Sequence, residues 1–278
     1  MGTETGTRPA VGRRTGGLLD VARFEGERRL WTTAVLAAVF VLFGGMFVAL
    51  APTLVSTNAY DDIIASMPPA LNALLGFENF SSVEGILSGE FYTFTWVVGL
   101  GAYLAYSAAG SVAGDLKHDR MDTLLAAPVS RTDVLLGKYL ALFVPVLALN
   151  VLVPLALYAG TVLIDDPVSP TALAALHALS VPYLLCWGAV GLLLGVVVRG
   201  GRTAGRVALG VVLAAWLVEA FVVGTDAEWL GALSPMRYFE PSAVLVDGTY
   251  DAAGAALLLA VAIVCVALAR ARFVGADL

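Results

Sequence analysis

Residues 134–163 read VLLGKYLALFVPVLALNVLVPLALYAGTVL, and Lys138 is the one charged residue among them. A helix needs about 20 mostly apolar residues to cross roughly 30 Å of hydrocarbon. The stretch therefore predicts a helix that crosses a bilayer. Because it is longer than a bilayer requires, its first turns, including Lys138, should project from the membrane. Pro145 and Pro154 predict bends, since proline removes a backbone hydrogen bond.

Five further stretches meet the same length criterion. The composition agrees, with 59% hydrophobic and 14% charged residues and a mean hydropathy of +0.85. Backbone polar groups in lipid must be paired within the protein, and runs this long pair them within a helix, whereas a barrel would show short alternating strands. The sequence predicts an all-α, polytopic membrane protein with spans at about 31–51, 90–112, 134–163, 172–198, 206–224 and 252–273.

Positive charge fixes the expected orientation. Fifteen of the 16 Lys and Arg residues lie on one side of the six-span alternation, and Arg237 alone lies on the other. Lys and Arg concentrate in the cytosolic loops of membrane proteins. Both termini are therefore expected in the cytosol, in a multi-pass protein of the plasma membrane.

The regions outside the spans carry three further predictions. Residues 1–16 are expected to form a disordered cytosolic tail, which leaves 17–278 as one transmembrane domain. Residues 17–30 combine an apolar and a charged face, which fits either a helix in the inner interface or a charged anchor before the first span. The outer loop 52–89 predicts two short helices on either side of Pro68 and Pro69.

The loop between the second and third spans is the most distinctive part of the chain. Residues 114–131 read GDLKHDRMDTLLAAPVSR, a densely charged island between two apolar runs. Pro128 would end a short helix here, and Ser130 or Thr132 would cap the next one. The apolar residues of that short helix can share one face, as expected of a cytosolic amphipathic helix that docks on a soluble partner: Leu116, Met121, Leu124 and Leu125.

This loop resembles the signature loop of type-2 ABC exporter permeases. One departure is Asp122, which stands where that family usually has glycine. Weaker similarity extends over most of the chain, including residues 84–87 and 234–239. The elements that carry the resemblance are Asp115, Thr123-Leu124-Leu125, Ala127-Pro128-Val129-Ser130-Arg131 and Leu136-Gly137-Lys138.

The resemblance implies a division of labour between subunits. Residues 115–128 would act as a coupling helix, seated in a groove of a cytosolic ATP-binding cassette subunit, and two permease subunits would rock together as two cassettes close. The chain has no G-x-x-x-x-G-K-[ST] phosphate loop, so ATP and Mg²⁺ are expected on the partner. No catalytic residue, cofactor, metal site or nucleic-acid partner is expected in this chain. The residues implied in coupling are Asp115, Leu116, Asp119, Arg120, Thr123, Leu124, Leu125, Pro128 and Arg131.

Three polar residues fall inside the predicted spans. A charge at the centre of a membrane helix costs about 2.5–3.5 kcal/mol on insertion scales, so Glu219 needs a partner or a proton. His177 sits at a similar distance from the outer end of its span, and the two residues are expected at one depth. They would form either part of an outer gate or a structural hydrogen bond, unless Glu219 simply reaches to the surface. Asn150 is expected to join packed helices.

Two other functional classes fit less well. An intramembrane enzyme needs convergent catalytic groups, but the two histidines, His118 and His177, fall on opposite sides of the membrane, and no H-E-x-x-H motif is present. A proton-coupled secondary transporter that uses Glu219 stays open as the alternative, although no inverted repeat is visible. The sequence favours the permease subunit of an ABC-type exporter and does not specify its substrate.

Overall fold

The structure is a computed structural model that describes residues 17–57, 65–68, 71, 81–117 and 129–275. Within these residues there is no strand, and six helices are long and apolar enough to cross a membrane. The all-α class and the six spans are therefore confirmed. The predicted tail at 1–16, most of the predicted helices of the first outer loop, and residues 118–128 lie outside the described residues.

Span 1 is one helix, Gly17–Thr57. It joins the charged segment 17–30 to the apolar run without a break and continues through Pro52. At 1.5 Å per residue its 41 residues measure about 60 Å, twice the thickness of the hydrocarbon core. A large part of this helix must therefore extend beyond the bilayer.

Span 2 departs from ordinary α-helical winding. It begins as Val83–Ile86, continues as a π-helix over Leu87–Leu100 and ends as an α-helix over Gly101–Lys117. It begins seven residues earlier than expected. Ser82 caps this start, because its Oγ accepts a hydrogen bond from Gly85 N at 3.1 Å. The π-winding was not predicted, because apolar patterns are compared with a period of 3.6 and π-helices are rare.

Span 3 is divided into two helices, Arg131–Leu140 and Phe143–Leu163. Pro145 has no N–H to offer the carbonyl of Ala141, which instead accepts a hydrogen bond from Val144 N at 3.3 Å. The disturbance predicted at Pro145 is thus observed as a short turn, whereas the helix continues through Pro154.

The start of span 3 has the predicted cap. Ser130 Oγ accepts a hydrogen bond from Asp133 N at 3.1 Å. Asp133 Oδ2 accepts one in return from Ser130 N at 3.2 Å. This reciprocal capping box satisfies two N–H groups that the helix cannot pair internally, and it resolves the choice between Ser130 and Thr132.

Spans 4, 5 and 6 are close to their expected positions, at Pro170–Val197, Gly201–Val222 and Ala252–Val274. The segment between spans 5 and 6, residues 223–251, is called here the 5–6 connector. It contains two 3₁₀ turns and one short helix, at Glu228–Leu233, Pro235–Tyr238 and Pro241–Leu245.

Span 4 is the centre of the bundle and contacts spans 2, 3, 5 and 6. Its glycines bring span 2 into backbone contact: a Cβ on Gly191 would lie 2.2 Å from Ala105 O, and one on Gly195 would lie 2.6 Å from Ala109 O. Small residues allow such close approach between membrane helices, so these glycines join spans 2 and 4 into one packed unit.

The outer surface of the bundle is apolar. Leu42, Leu163 and Ile263 are 74%, 83% and 69% exposed within the chain. In water such a surface would favour aggregation, but against lipid tails it is at no disadvantage. The exposed faces of the spans therefore fit contact with a bilayer.

We expect Gly191→Ala to destabilise the protein, because the added methyl group would meet the backbone of Ala105. Overpacking of this kind costs about 1–3 kcal/mol, measured as a lower thermal unfolding midpoint in detergent. Gly210→Ala in span 5 is the matched control, since a Cβ there meets no atom within 4 Å. Equal midpoints for the two variants would contradict the close packing.

Candidate functional site

A buried lysine joins three helices at one end of the bundle. Lys138 is 3% exposed, and its Nζ lies 2.7 Å from Glu25 Oε1 and 2.7 Å from Asp115 Oδ2. Glu25 belongs to span 1, Asp115 to the end of span 2 and Lys138 to the start of span 3. We call these three residues the ion triad. A buried charge is tolerated when it is paired and hydrogen-bonded, and the triad meets that requirement.

Gly137 explains how span 1 comes close enough to reach Lys138. A Cβ on Gly137 would lie 2.6 Å from Val21 Cγ1 and 3.1 Å from Ala22 N. Only glycine leaves room for span 1 at this point. The Gly-Lys pair that the resemblance singled out therefore has a physical role here: glycine admits span 1, and lysine binds its Glu25.

Glu25 was not identified from the sequence as a partner of Lys138. It lies in a run with Glu27, Arg28 and Arg29, in which charge and spacing do not distinguish one acid from the other. Glu27 in fact pairs with Arg23 on the surface at 2.8 Å. The only hint in the sequence was that Lys138 lies in the first turns of an apolar span. A lysine buried there needs an acidic partner, but the sequence does not show which acid it is.

Two residues of the ion triad flank the segment that contains the predicted coupling helix, residues 115–128. Asp115 is the first residue of that segment and Lys138 lies after its end, so their ion pair holds the intervening chain together at its base. Asp115 lies in the last turn of span 2, and Arg131 is the first residue of span 3. The backbone of Leu116 continues span 2, whereas the other implied coupling residues lie outside the described residues: Asp119, Arg120, Thr123, Leu124, Leu125 and Pro128.

We expect Lys138→Met to destabilise the protein strongly, because it leaves the buried carboxylate of Glu25 and the largely buried carboxylate of Asp115 without a cation. Removing one partner of a buried ion pair costs about 3–5 kcal/mol. Adding Glu25→Gln and Asp115→Asn should restore part of the thermal midpoint, since no unpaired charge then remains. The control is Arg23→Met, which breaks an exposed pair (81% and 56% side-chain exposure) and should leave the midpoint unchanged. A midpoint for Lys138→Met equal to that of the control would contradict the role of the triad.

A second polar cluster connects spans 2, 3 and 4 through His177. Its Nε2 lies 2.9 Å from Tyr92 OH, and its Nδ1 lies 3.1 Å from Asn150 Oδ1. Asn150 Nδ2 donates to Val146 O at 2.8 Å, which assigns Oδ1 as the acceptor. Ser180 Oγ lies 2.6 Å from the same Oδ1.

These contacts assign the proton on the imidazole. Because Asn150 Oδ1 can only accept, His177 Nδ1 carries the hydrogen, and Nε2 accepts from the Tyr92 hydroxyl. Both nitrogens of a neutral ring are thereby satisfied. His177 acts as a link between helices, and Asn150 joins spans 3 and 4, which is the role expected of it.

Glu219 lies elsewhere, near the last turn of span 5. Its Oε2 is enclosed and accepts no hydrogen bond from the described part of the chain. A Cβ on Gly231 would lie 2.5 Å from that oxygen and 2.6 Å from Arg237 Nη1, so the carboxylate and the guanidinium converge beside Gly231. The structure thus places Glu219 against the 5–6 connector and does not join it to His177, whose two nitrogens are engaged by Tyr92 and Asn150.

We expect Tyr92→Phe and His177→Ala to differ in their effect on stability. Tyr92→Phe removes one hydrogen bond between helices, which is worth about 0.6 kcal/mol on average and up to about 2 kcal/mol in membranes. His177→Ala removes two such bonds and the imidazole ring, whose centroid lies 4.7 Å from that of the Trp96 ring. The unfolding midpoint of this variant should therefore fall further. Equal midpoints would show that the cluster does not hold the helices together.

A comparison with protein families adds independent evidence. A family model described as ABC-2 family transporter protein matches residues 24–278. A search of curated proteins finds no match. The family match covers all six spans and confirms the resemblance drawn from the loop between spans 2 and 3.

Proposed function

Since the chain belongs to the ABC-2 transporter family, and is therefore the membrane subunit of an ABC transporter, we propose that it works as an exporter of the plasma membrane. ATP would be hydrolysed by a separate cytosolic cassette subunit, which binds ATP and Mg²⁺. Two permease subunits and two cassettes would form the transporter. The absence of a phosphate loop from the sequence supports this division.

The observation that carries the proposal is the ion triad at the base of the loop between spans 2 and 3. If residues 115–128 form the coupling helix, a push from the cassette is applied beside Asp115. The ion pair to Lys138 passes that force to span 3, and Glu25 passes it to span 1. The triad thus supports a mechanism in which one docking contact moves three helices together.

Close packing extends the same path to a fourth helix. Span 2 lies against span 4 at Gly191 and Gly195 with no room for a methyl group. Packed interfaces of this kind shift as units because they are not continuously deformable. Movement at the cytosolic end of span 2 would therefore be shared with span 4.

The competing hypothesis is a proton-coupled secondary transporter. It is favoured by one observation, the carboxylate oxygen of Glu219 that accepts no hydrogen bond from the described residues. Such a protein would need no cassette partner, so the two hypotheses differ in what should copurify with the chain.

We expect a P-loop ATPase to copurify in stoichiometric amount with the tagged chain in mild detergent, identified by mass spectrometry. Replacing Leu124 and Leu125 by Asp should abolish this association, because charges would replace the apolar face proposed to enter the cassette groove. Replacing both by Met is the matched control and should retain the ATPase. Membrane insertion of each variant is checked by fractionation.

Two results would contradict the proposal. The first is a chain that purifies alone even with ATP analogues added, which would favour the secondary transporter. The second is full retention of the ATPase by the inserted Asp variant, which would remove the coupling role from residues 124 and 125.

A further inference from the structure

A cavity of about 410 Å³ lies at the end of the bundle opposite the ion triad. It is lined by the π-helical part of span 2, the last turns of span 5 and the 5–6 connector. This volume is within the range of small-molecule sites in proteins, about 300–1,000 Å³. In the proposed orientation the cavity faces the outer side of the membrane.

Glu219 gives the cavity an unmet requirement for a hydrogen-bond donor. Glu219 is one of the lining residues, and its Oε2, which is closed to solvent, receives no hydrogen bond from the residues that the structure describes. A buried acceptor without a donor costs about 1–3 kcal/mol, and more when it is charged. A ligand that brings a donor, and above all a positive charge, would remove that cost once the flexible Glu219 side chain turns this oxygen to the cavity.

The neighbouring Arg237 does not meet this requirement. Its Nη1 donates to Glu228 O at 2.6 Å and its Nη2 donates to Glu228 Oε1 at 2.9 Å. The guanidinium is thus held by the 5–6 connector and forms its ion pair with Glu228. Arg237 also lines the cavity, together with Glu219 and Glu240. One cation thus stands beside the carboxylates of Glu219 and Glu228, with that of Glu240 in the same wall, and the local balance favours a further positive charge.

Three residues of the wall carry a hydroxyl group, Ser88, Thr93 and Ser242, and the hydroxyls of Ser88 and Thr93 have lone pairs available. Ser88 Oγ donates its hydrogen to Gly85 O at 2.9 Å, and Thr93 Oγ1 donates to Ser88 O at 2.8 Å. Each hydroxyl has one hydrogen to donate and two lone pairs, so both retain the capacity to accept a hydrogen bond. Much of the remaining wall is apolar and includes Trp216, Met236 and Phe239.

We propose that this cavity binds the ammonium or guanidinium group of a ligand with an apolar body, with Glu219 as the charged acceptor. The apolar wall would hold the body, and the aromatic rings of Trp216 and Phe239 suit contact with a cation. That this ligand is the transported substrate, bound on its way out, rests on the proposed function; the binding itself does not.

The test compares two probes of the same shape, phenethylammonium and the neutral 2-phenylethanol. Each is titrated calorimetrically into the full chain in nanodiscs of zwitterionic lipid, and the heat with empty nanodiscs is subtracted. Phenethylammonium should bind at least tenfold more tightly than 2-phenylethanol. Glu219→Gln keeps the shape of the side chain and should remove that difference.

Gly231→Ala tests the same site without changing a charge. Its methyl group would occupy the point between Glu219 Oε2 and Arg237 Nη1, and both are ends of flexible side chains that can move aside. The variant should fold, yet bind phenethylammonium at least tenfold more weakly. Gly210→Ala, in the same span as Glu219 and with open space around its Cβ, should bind as the unchanged chain does.

Equal affinity for the two probes would overturn the proposal, as would unchanged phenethylammonium binding in both Glu219→Gln and Gly231→Ala. If Glu219→Gln does not fold, as judged by size exclusion, Gly231→Ala decides alone. Failure here is distinguishable from failure of the proposed function. Binding that depends on Glu219 without a copurifying ATPase would support the binding site and reject the ABC exporter. A copurifying ATPase without such binding would support the exporter and reject the binding site.

Discussion

One ammonium group held between two carboxylates organises the end of the bundle that faces the predicted coupling helix. Lys138 could not be buried among apolar helices without Glu25 and Asp115. Because the three residues come from spans 3, 1 and 2, their pairing fixes where the extension of span 1 meets the other helices. Gly137 completes the contact by leaving room for Val21. The geometry of this end therefore depends on two adjacent residues: Lys138 supplies the charge, and Gly137 has no side chain that would block span 1.

The other half of the bundle is joined by neutral groups. Tyr92, Asn150 and His177 connect spans 2, 3 and 4 through hydrogen bonds that satisfy an uncharged imidazole. In lipid such a network holds helices in register without the cost of a buried ion. This network carries no formal charge, and span 4 with its glycine contacts provides a neutral centre.

The sequence predicted what depends on hydrophobicity and local chemistry: the six spans and the Ser130 cap. It did not predict the π-helix, because local apolar content does not reveal a change of winding. The sequence also did not predict which residues from distant parts of the chain pair with one another. Depth along a span suggested that Glu219 and His177 could meet, but rotation about each helix axis decides contact, and that rotation is set by packing. For the same reason Glu25 could not be distinguished from Glu27.

Span 2 is the helix that touches both candidate sites. Its last turn carries Asp115 of the ion triad, and its π-helical segment contributes Ser88 and Thr93 to the cavity beside Glu219. A π-helix pairs each N–H with a more distant carbonyl than an α-helix does, and such segments are found at functional sites. If one turn of this segment changed from π- to α-helical winding, the residues that precede it in span 2 would rotate about the helix axis. The later part of span 2, which packs on Gly191 and Gly195 of span 4, would stay in place. Under the proposed function, such a change of winding would alter the cavity wall without breaking the glycine contacts, and span 2 would then link the end at Asp115 to the cavity.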